Sequence, residues 1–392
     1  MAPHVVITGM GVISPLGDSP AAVHAALVAD RSPPPPEYAV GGFAAEAYLG
    51  ERNLRPLDRA AQLLTCAALL ALRDAGWMPE RLAEEDVGLV VGTMFSTVRT
   101  IAEFDRRAAT DGPNYASPMD FANTVINAPA GQAAIWHGLR GVNATVAAGA
   151  ASGLLAVAHA ADLIRAGRAS TLLAGGVEEL SFESACGFRR AGMLCAGDRP
   201  RPFDVRRSGF ALGEAAAVLV LEDGQAAAAR GARVLGRVVG HGARFDVEQG
   251  RDDETAVAAA AGAVRLALRD AGLTPADVDC ISAAARGDGK GDRREARALW
   301  DVFADRGDDL AVTAIKGHSG EALGATGALQ VVTLLEAMRT GTVPGVGGLE
   351  RVEDPFLTGK AVGVARPRAV RVGLVNAAGF DGHHCAVAVA AC

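Results

Sequence analysis

Few side chains in this sequence are placed to do chemistry. Ser152 sits in a small-residue turn, Ala148-Gly149-Ala150-Ala151-Ser152-Gly153, just ahead of a helical pattern. A hydroxyl there could attack an acyl group, but only with a base beside it. His318 lies in Lys316-Gly317-His318-Ser319-Gly320, where a local hydrogen-bonding role is expected. His383-His384-Cys385 is the densest cluster of metal-type ligands. Three consecutive strand positions do not point at one ion, so no metal is expected there. The six cysteines (Cys66, Cys186, Cys195, Cys280, Cys385, Cys392) show no C-x-x-C pair, which argues against a zinc site or a disulfide framework.

The elements that would position these groups are legible. The chain has 392 residues, and its Ala-rich helical patterns alternate with short, nearly continuous apolar strands. That alternation implies an α/β protein with sheets covered on both faces. Strand-like runs begin at Val5, Val87, Thr171, Ala217, Val234, Val278, Val370 and Cys385; helical patterns cover Ser152 to Ala166 and Thr255 to Ala271. No apolar run reaches the ~20 residues of a membrane span, and no signal peptide is visible, so a cytoplasmic protein is expected. Net charge is −7 without a basic block, which argues against nucleic acid or an anionic membrane as partner. Pro33-Pro34-Pro35-Pro36 reads as a stiff surface loop.

A repeat divides the chain. Ala71-Leu72-Arg73-Asp74-Ala75-Gly76 returns as Ala267-Leu268-Arg269-Asp270-Ala271-Gly272, an offset of 196 (267 − 71). Each copy ends a helical pattern on a glycine stop, is followed by Pro79 or Pro275, and leads into a strand. Two halves are expected, residues 1–228 and 229–392.

Several motifs appear in one order: Val6-Ile7-Thr8-Gly9-Met10-Gly11-Val12-Ile13-Ser14-Pro15-Leu16-Gly17, Ala174-Gly175-Gly176-Val177-Glu178, Arg201-Pro202-Phe203-Asp204, Gly209-Phe210-Ala211-Leu212-Gly213-Glu214-Ala215-Ala216 and Gly379-Phe380-Asp381-Gly382. From end to end they resemble the β-ketoacyl synthases of the thiolase superfamily. The resemblance implies a thiolase-like duplicated αβαβα layered fold. It also implies carrier-protein-dependent acyl chemistry by one cysteine and two histidines, with no cofactor.

All three catalytic positions are altered. In the frame Thr-Ala-Cys-x-Ser-Gly the thiol's place is held by Ala150. In His-Gly-Thr-x-Thr-x-x-x-Asp-x-x-Glu, Asp292 and Glu295 are retained and Ala284 stands at the histidine. In Lys-x-x-x-Gly-His-x-x-Gly-Ala-x-Gly, Lys316 is retained and Glu321 stands at the histidine. Lys316 is one of only three lysines, with Lys290 and Lys360, and an ion pair with a buried carboxylate such as Glu295 is expected. Phe380 matches the phenylalanine that gates the family's acyl tunnel.

Loss of the whole set resembles the chain-length factors, or KSβ subunits, of type II polyketide synthases. These lack activity alone and pair with an active ketosynthase as a heterodimer. They meet the acyl carrier protein through that complex and shape the tunnel that holds the growing polyketide. The segment 118–132 matches the family's dimer-crossing region, and Phe121, Thr124, Val125 and Ala128, at helical spacing, are the candidates for limiting chain length. Two alternatives stay open: a stand-alone acyltransferase or decarboxylase with an unconventional nucleophile such as Ser152, and a pure scaffold.

Overall fold

The computed structural model describes residues 4–33, 38–51, 53–82, 84–196 and 199–392. Most of the proline run, Pro34 to Pro36, lies outside the described residues. The first half contains strands β1 (Val5–Ile13), β2 (Gly88–Gly92), β3 (Asn143–Val146), β4 (Thr171–Glu178) and β5 (Ala215–Asp223), with helices α1 (Arg59–Asp74), α2 (Ala128–His137) and α3 (Ser152–Arg165). The second contains β6 (Gly236–Phe245), β7 (Cys280–Ser282), β8 (Ala311–Thr313), β9 (Val372–Ala378) and β10 (His383–Ala390), with α4 (Asp253–Ala271), α5 (Gly291–Phe303) and α6 (Thr326–Thr340).

The strands join in the order β3-β2-β4-β5-β1-β6-β10-β9-β7-β8. Read outward from the β1–β6 seam, each half runs first strand, fifth, fourth, second, third. The seam itself is three residue pairs, Val5 with Val238 to Ile7 with Gly236. Alternation along the strands then sorts the side chains into layers. In β5, Ala217, Leu219 and Leu221 join a core built around α3 and α6, whereas Ala216, Val218 and Val220 face α1. In β10, Cys385, Val387 and Val389 face the same central helices, and Ala386 and Ala388 face α4. The result is helix, half-sheet, central helix pair, half-sheet, helix: the duplicated αβαβα arrangement.

The repeated hexapeptide has a physical basis here. β1 and β6 each skip one residue of their ladder, between Ile7 and Gly9 and between Val238 and Gly240. Just beyond each bulge lies a Gly-x-Gly on which the outer helix rests. A Cβ on Gly11 would stand 2.0 Å from the Ala67 carbonyl oxygen, and one on Gly242 would stand 2.4 Å from that of Ala263. Between each pair of glycines a main-chain N–H reaches the aspartate of the repeat. Met10 donates to Asp74 at 2.9 Å and His241 to Asp270 at 3.0 Å. Gly76 and Gly272 end the two helices with φ of 73° and 65°.

Gly11→Ala and Gly242→Ala should each cost about 2–3 kcal/mol in urea denaturation, because the backbone carbonyl they meet cannot give way. Gly187→Ala, in the helix Phe182–Arg190 with nothing within 4 Å of its Cβ, should instead gain up to about 1 kcal/mol.

Candidate functional site

The turn between β3 and α3 is built as a nucleophile turn and holds a methyl group. Gly149 takes a φ of 56°, which places Ala150, fully buried, ahead of the first turn of α3. The positive end of the helix dipole thus faces Ala150, with no thiolate to stabilise. Ser152 is no substitute. Its Oγ accepts from the Ala148 N–H at 2.8 Å and donates to the Gly149 carbonyl at 2.6 Å. The side chain is completely buried, and the hydroxyl proton is spent on the turn.

The other two altered positions are tied together by Lys316. Its Nζ donates to the Ala284 carbonyl at 2.8 Å and pairs with Glu321 Oε2 at 2.7 Å. This corrects the expectation that Glu295 supplies the counter-charge. Glu295 instead accepts the Ala284 N–H at 2.7 Å, with Asn376 at 3.4 Å, and burial raises its pKa. Lys316 is 2 % exposed and Glu321 0 %, so the ammonium is neutralised at the position where the family frame has a histidine. Thr326 donates to the other Glu321 oxygen at 2.8 Å.

The retained acidic positions fasten loops. Asp292 accepts main-chain N–H groups of Phe203, Arg286 and Gly287 at 2.8, 3.0 and 3.2 Å, and burial pushes its pKa up to about 7. Glu178 receives those of Met94, Phe95, Ser96 and Gly324 at 2.7, 2.8, 2.9 and 3.1 Å, and burial likewise raises it to about 7. Phe380 packs at 5.2 and 5.4 Å on Phe188 and Phe210, and the Arg286 guanidinium lies 4.0 Å from its centroid.

The histidines are dispersed. His318 is buried, lies 3.0 Å from Asp30, and is held near pKa 4 by desolvation and by Arg199. His383 turns to Asp381 at 3.0 Å, while burial lowers its neighbour His384 to about 4. Among the described residues no three His, Cys, Asp or Glu side chains form a metal-binding group.

The crossing segment differs from expectation. Phe121 ends a short helix, Pro118–Phe121; Thr124 and Val125 lie in the turn that follows; Ala128 opens α2. Pro118 and Pro129 each sit at a helix start, so the stretch forms two helices rather than one face. Phe121 and Val125 are 64 % and 49 % exposed, and Thr124 is half-buried and donates to the Phe121 carbonyl at 2.8 Å. Ala128 is buried in the chain's own interior. Tyr115, Met119, Ile126 and Ile135 are exposed too, and α2, which carries Ile135, packs beside β3, the outermost strand of its half-sheet.

A cavity of about 710 Å³ was not foreseen from the sequence. It lies between α4, α5, the 284–291 loop and the turn at Phe380, with Ala256, Ala260, Ala263 and Ala298 on its helical walls. Alanine occurs on every face of α4, so the sequence carried no signal of which face lines open space.

The sequence matches the family models "Beta-ketoacyl synthase, N-terminal domain" over residues 40–227 and "Beta-ketoacyl synthase, C-terminal domain" over residues 235–350. The chain belongs to the β-ketoacyl synthase family. It is 34 % identical to the tetracenomycin polyketide synthase ketoacyl synthase beta subunit of Streptomyces glaucescens, over 98 % of each chain. It is 29 % identical to 3-oxoacyl-[acyl-carrier-protein] synthase 2 of Vibrio cholerae, over 96 % of each. Its fold superposes on the ishigamide ketosynthase/chain length factor with a TM-score of 0.92 at 29 % identity, over all of both chains.

Glu321→Ala strands the buried Lys316 ammonium and should cost about 3–5 kcal/mol in urea denaturation, whereas Lys316→Met with Glu321→Leu should recover most of it. In a pH series, His318 and His384 stay neutral in the fold, so their contribution is complete above pH 6.5 and is lost as pH falls through about 4. Glu178 and Asp292 run the other way, losing stability as pH rises from their ordinary values to about 7. The expected signature of His384→Gln is therefore a difference in slope: stability falls less steeply between pH 6.5 and 4 than in wild type.

Proposed function

We propose that this chain is the non-catalytic, chain-length-factor-type subunit of a carrier-protein-dependent type II polyketide synthase. It pairs with an active ketosynthase and shapes the tunnel in which the partner's product grows. The observation that carries this reading is the buried Lys316–Glu321 pair. A single Cys→Ala change would leave a site that one reversion restores. Here the family lysine is neutralised by a carboxylate at the second histidine position, and Ala284, at the first, offers no imidazole. The site has no thiol to attack and no imidazole to act as base or as donor to an enolate oxygen, and its lysine is held by Glu321 and the Ala284 carbonyl.

The relatives support the same reading. Among them are the tetracenomycin beta subunit and the actinorhodin polyketide putative beta-ketoacyl synthase 2 of Streptomyces coelicolor. The ishigamide ketosynthase/chain length factor shares the fold over the full length of this chain. The exposed apolar side chains at Tyr115, Met119, Phe121, Val125, Ile126 and Ile135, the last on the helix that packs beside the outermost strand β3, suit a heterodimer contact of this kind. In this reading Phe121 and Val125 project toward the partner's tunnel, while Thr124 and Ala128 set the backbone from which they project. The two halves are residues 1–228 and 229–392, and the pair works in the cytoplasm on carrier-bound substrates. Full use of the Ser152 hydroxyl within its own turn disfavours a stand-alone enzyme with that nucleophile.

The isolated chain, incubated with acyl- and malonyl-carrier protein, should show no covalent acyl adduct by intact mass and no CO₂ release, and Ala150→Cys alone should not restore condensation. Co-expressed with a ketosynthase that keeps Cys-His-His, it should co-purify as a 1:1 pair. Phe121→Ala or Val125→Trp should then change the carbon count of the product. Unchanged products across both substitutions would leave a scaffold role, and an adduct on this chain alone would refute the proposal.

A further inference from the structure

The cavity opens onto the first altered histidine position, Ala284, and stops short of the other two altered positions. Ala284, Arg286, Glu295 and Phe380 line it, but Ala150, Lys316 and Glu321 do not. Arg286 stands at the boundary. Only 7 % exposed, its guanidinium lies 4.0 Å from the centre of the Phe380 ring. It donates to Asp288 at 2.6 Å and to the Ala378 carbonyl at 3.2 Å, and it reaches to 3.9 Å from Glu321. The turn that carries Phe380 rests on the nucleophile turn: a Cβ on Gly149 would stand 2.7 Å from Asp381 Oδ1, and one on Gly379 would stand 3.4 Å from the Ala148 carbonyl oxygen. The guanidinium therefore spans from the 378–380 turn, which abuts the nucleophile turn, to the second altered histidine position.

The sequence frame makes the placement more pointed. With Ala284 at the histidine of His-Gly-Thr-x-Thr, Arg286 and Asp288 occupy the two threonine positions. Two small hydroxyl side chains in the frame are replaced here by a large cation and the anion that pairs with it. A lone arginine at this depth would be costly; the pair, with its carbonyl and ring contacts, is satisfied.

We propose that Arg286, held by Asp288 and stacked on Phe380, is a substrate-excluding stopper that separates the cavity from the Ala150 position. Its consequence, on the heterodimer reading above, is specificity: a carrier-borne thioester entering this subunit's cavity is kept from the inert turn, so chain growth is confined to the partner.

The test uses a reporter thiol. Ala150→Cys is introduced into the full chain, and alkylation of the introduced thiol by iodoacetamide is followed by peptide mass mapping, which separates it from the six native cysteines. The reporter should react at least about tenfold more slowly in this background than after Arg286→Thr with Asp288→Thr, a double change that leaves neither charge of the pair unpartnered. Arg286→Ala with Asp288→Asn, a second paired change that leaves Phe380 in place, should also speed the reaction and carries the test if the first double variant fails to unfold cooperatively. Equal rates with and without the stopper, or a fast reporter thiol when Ala150→Cys is the only change, would overturn the proposal. Because alkylation needs no partner, failure of the heterodimer reading would leave these rates unchanged.

Discussion

A lysine ammonium taken almost wholly out of water must have an anion beside it, and in this protein Glu321 meets that requirement. The pair sits at the junction of the two halves of the site. Its lysine holds the Ala284 carbonyl, and its glutamate is joined through its main chain to Ala211 and Gly213. A glutamate turns the same lysine into a structural tie. The pair therefore ties this part of the site to the stability of the fold, independently of residue 150.

The other buried carboxylates follow the same logic. Asp204, Glu214, Glu178 and Asp292 lie in motifs that the family uses to recognise itself, and each receives main-chain N–H groups from loops distant in sequence. Buried donors without partners are costly, so one carboxylate that satisfies several of them fixes a loop more economically than a run of separate contacts. The task of these positions in this chain is architectural. The scaffold, with its nucleophile turn and helix dipole, remains in place around an alanine.

Duplication supplies the frame. The Gly-x-Gly bulges of β1 and β6, each clasped by the aspartate of the repeated hexapeptide, bring an outer helix against each half-sheet at the same depth. The two central helices are then shared by both halves in one core. What duplication does not cover is the segment from 115 to 135, which exposes apolar side chains and whose helix α2 packs beside the outermost strand β3. An exposed apolar flank of this kind is suited to contact with a neighbouring chain.

By itself the sequence determined the fold class, the repeat, the strand and helix grammar and the three altered catalytic positions. Periodicity, glycine stops and collinear motifs are local signals that survive in one dimension. It did not determine which carboxylate Lys316 would choose. Glu321 is 5 residues from Lys316 (321 − 316) and Glu295 is 21 (316 − 295), and sequence distance alone does not choose a partner; the packing of the 316–321 turn against Ala284 does. Nor did it show that the 118–132 stretch breaks into two helices and turns Ala128 inward while Phe121 faces out. The two prolines were visible, but the direction of each side chain depends on the strands beneath. The cavity, and the guanidinium that closes it off from Ala150, required the tertiary structure, because Arg286, Phe380 and the nucleophile turn come from three distant parts of the chain and meet only when the half-sheets close on their shared helices.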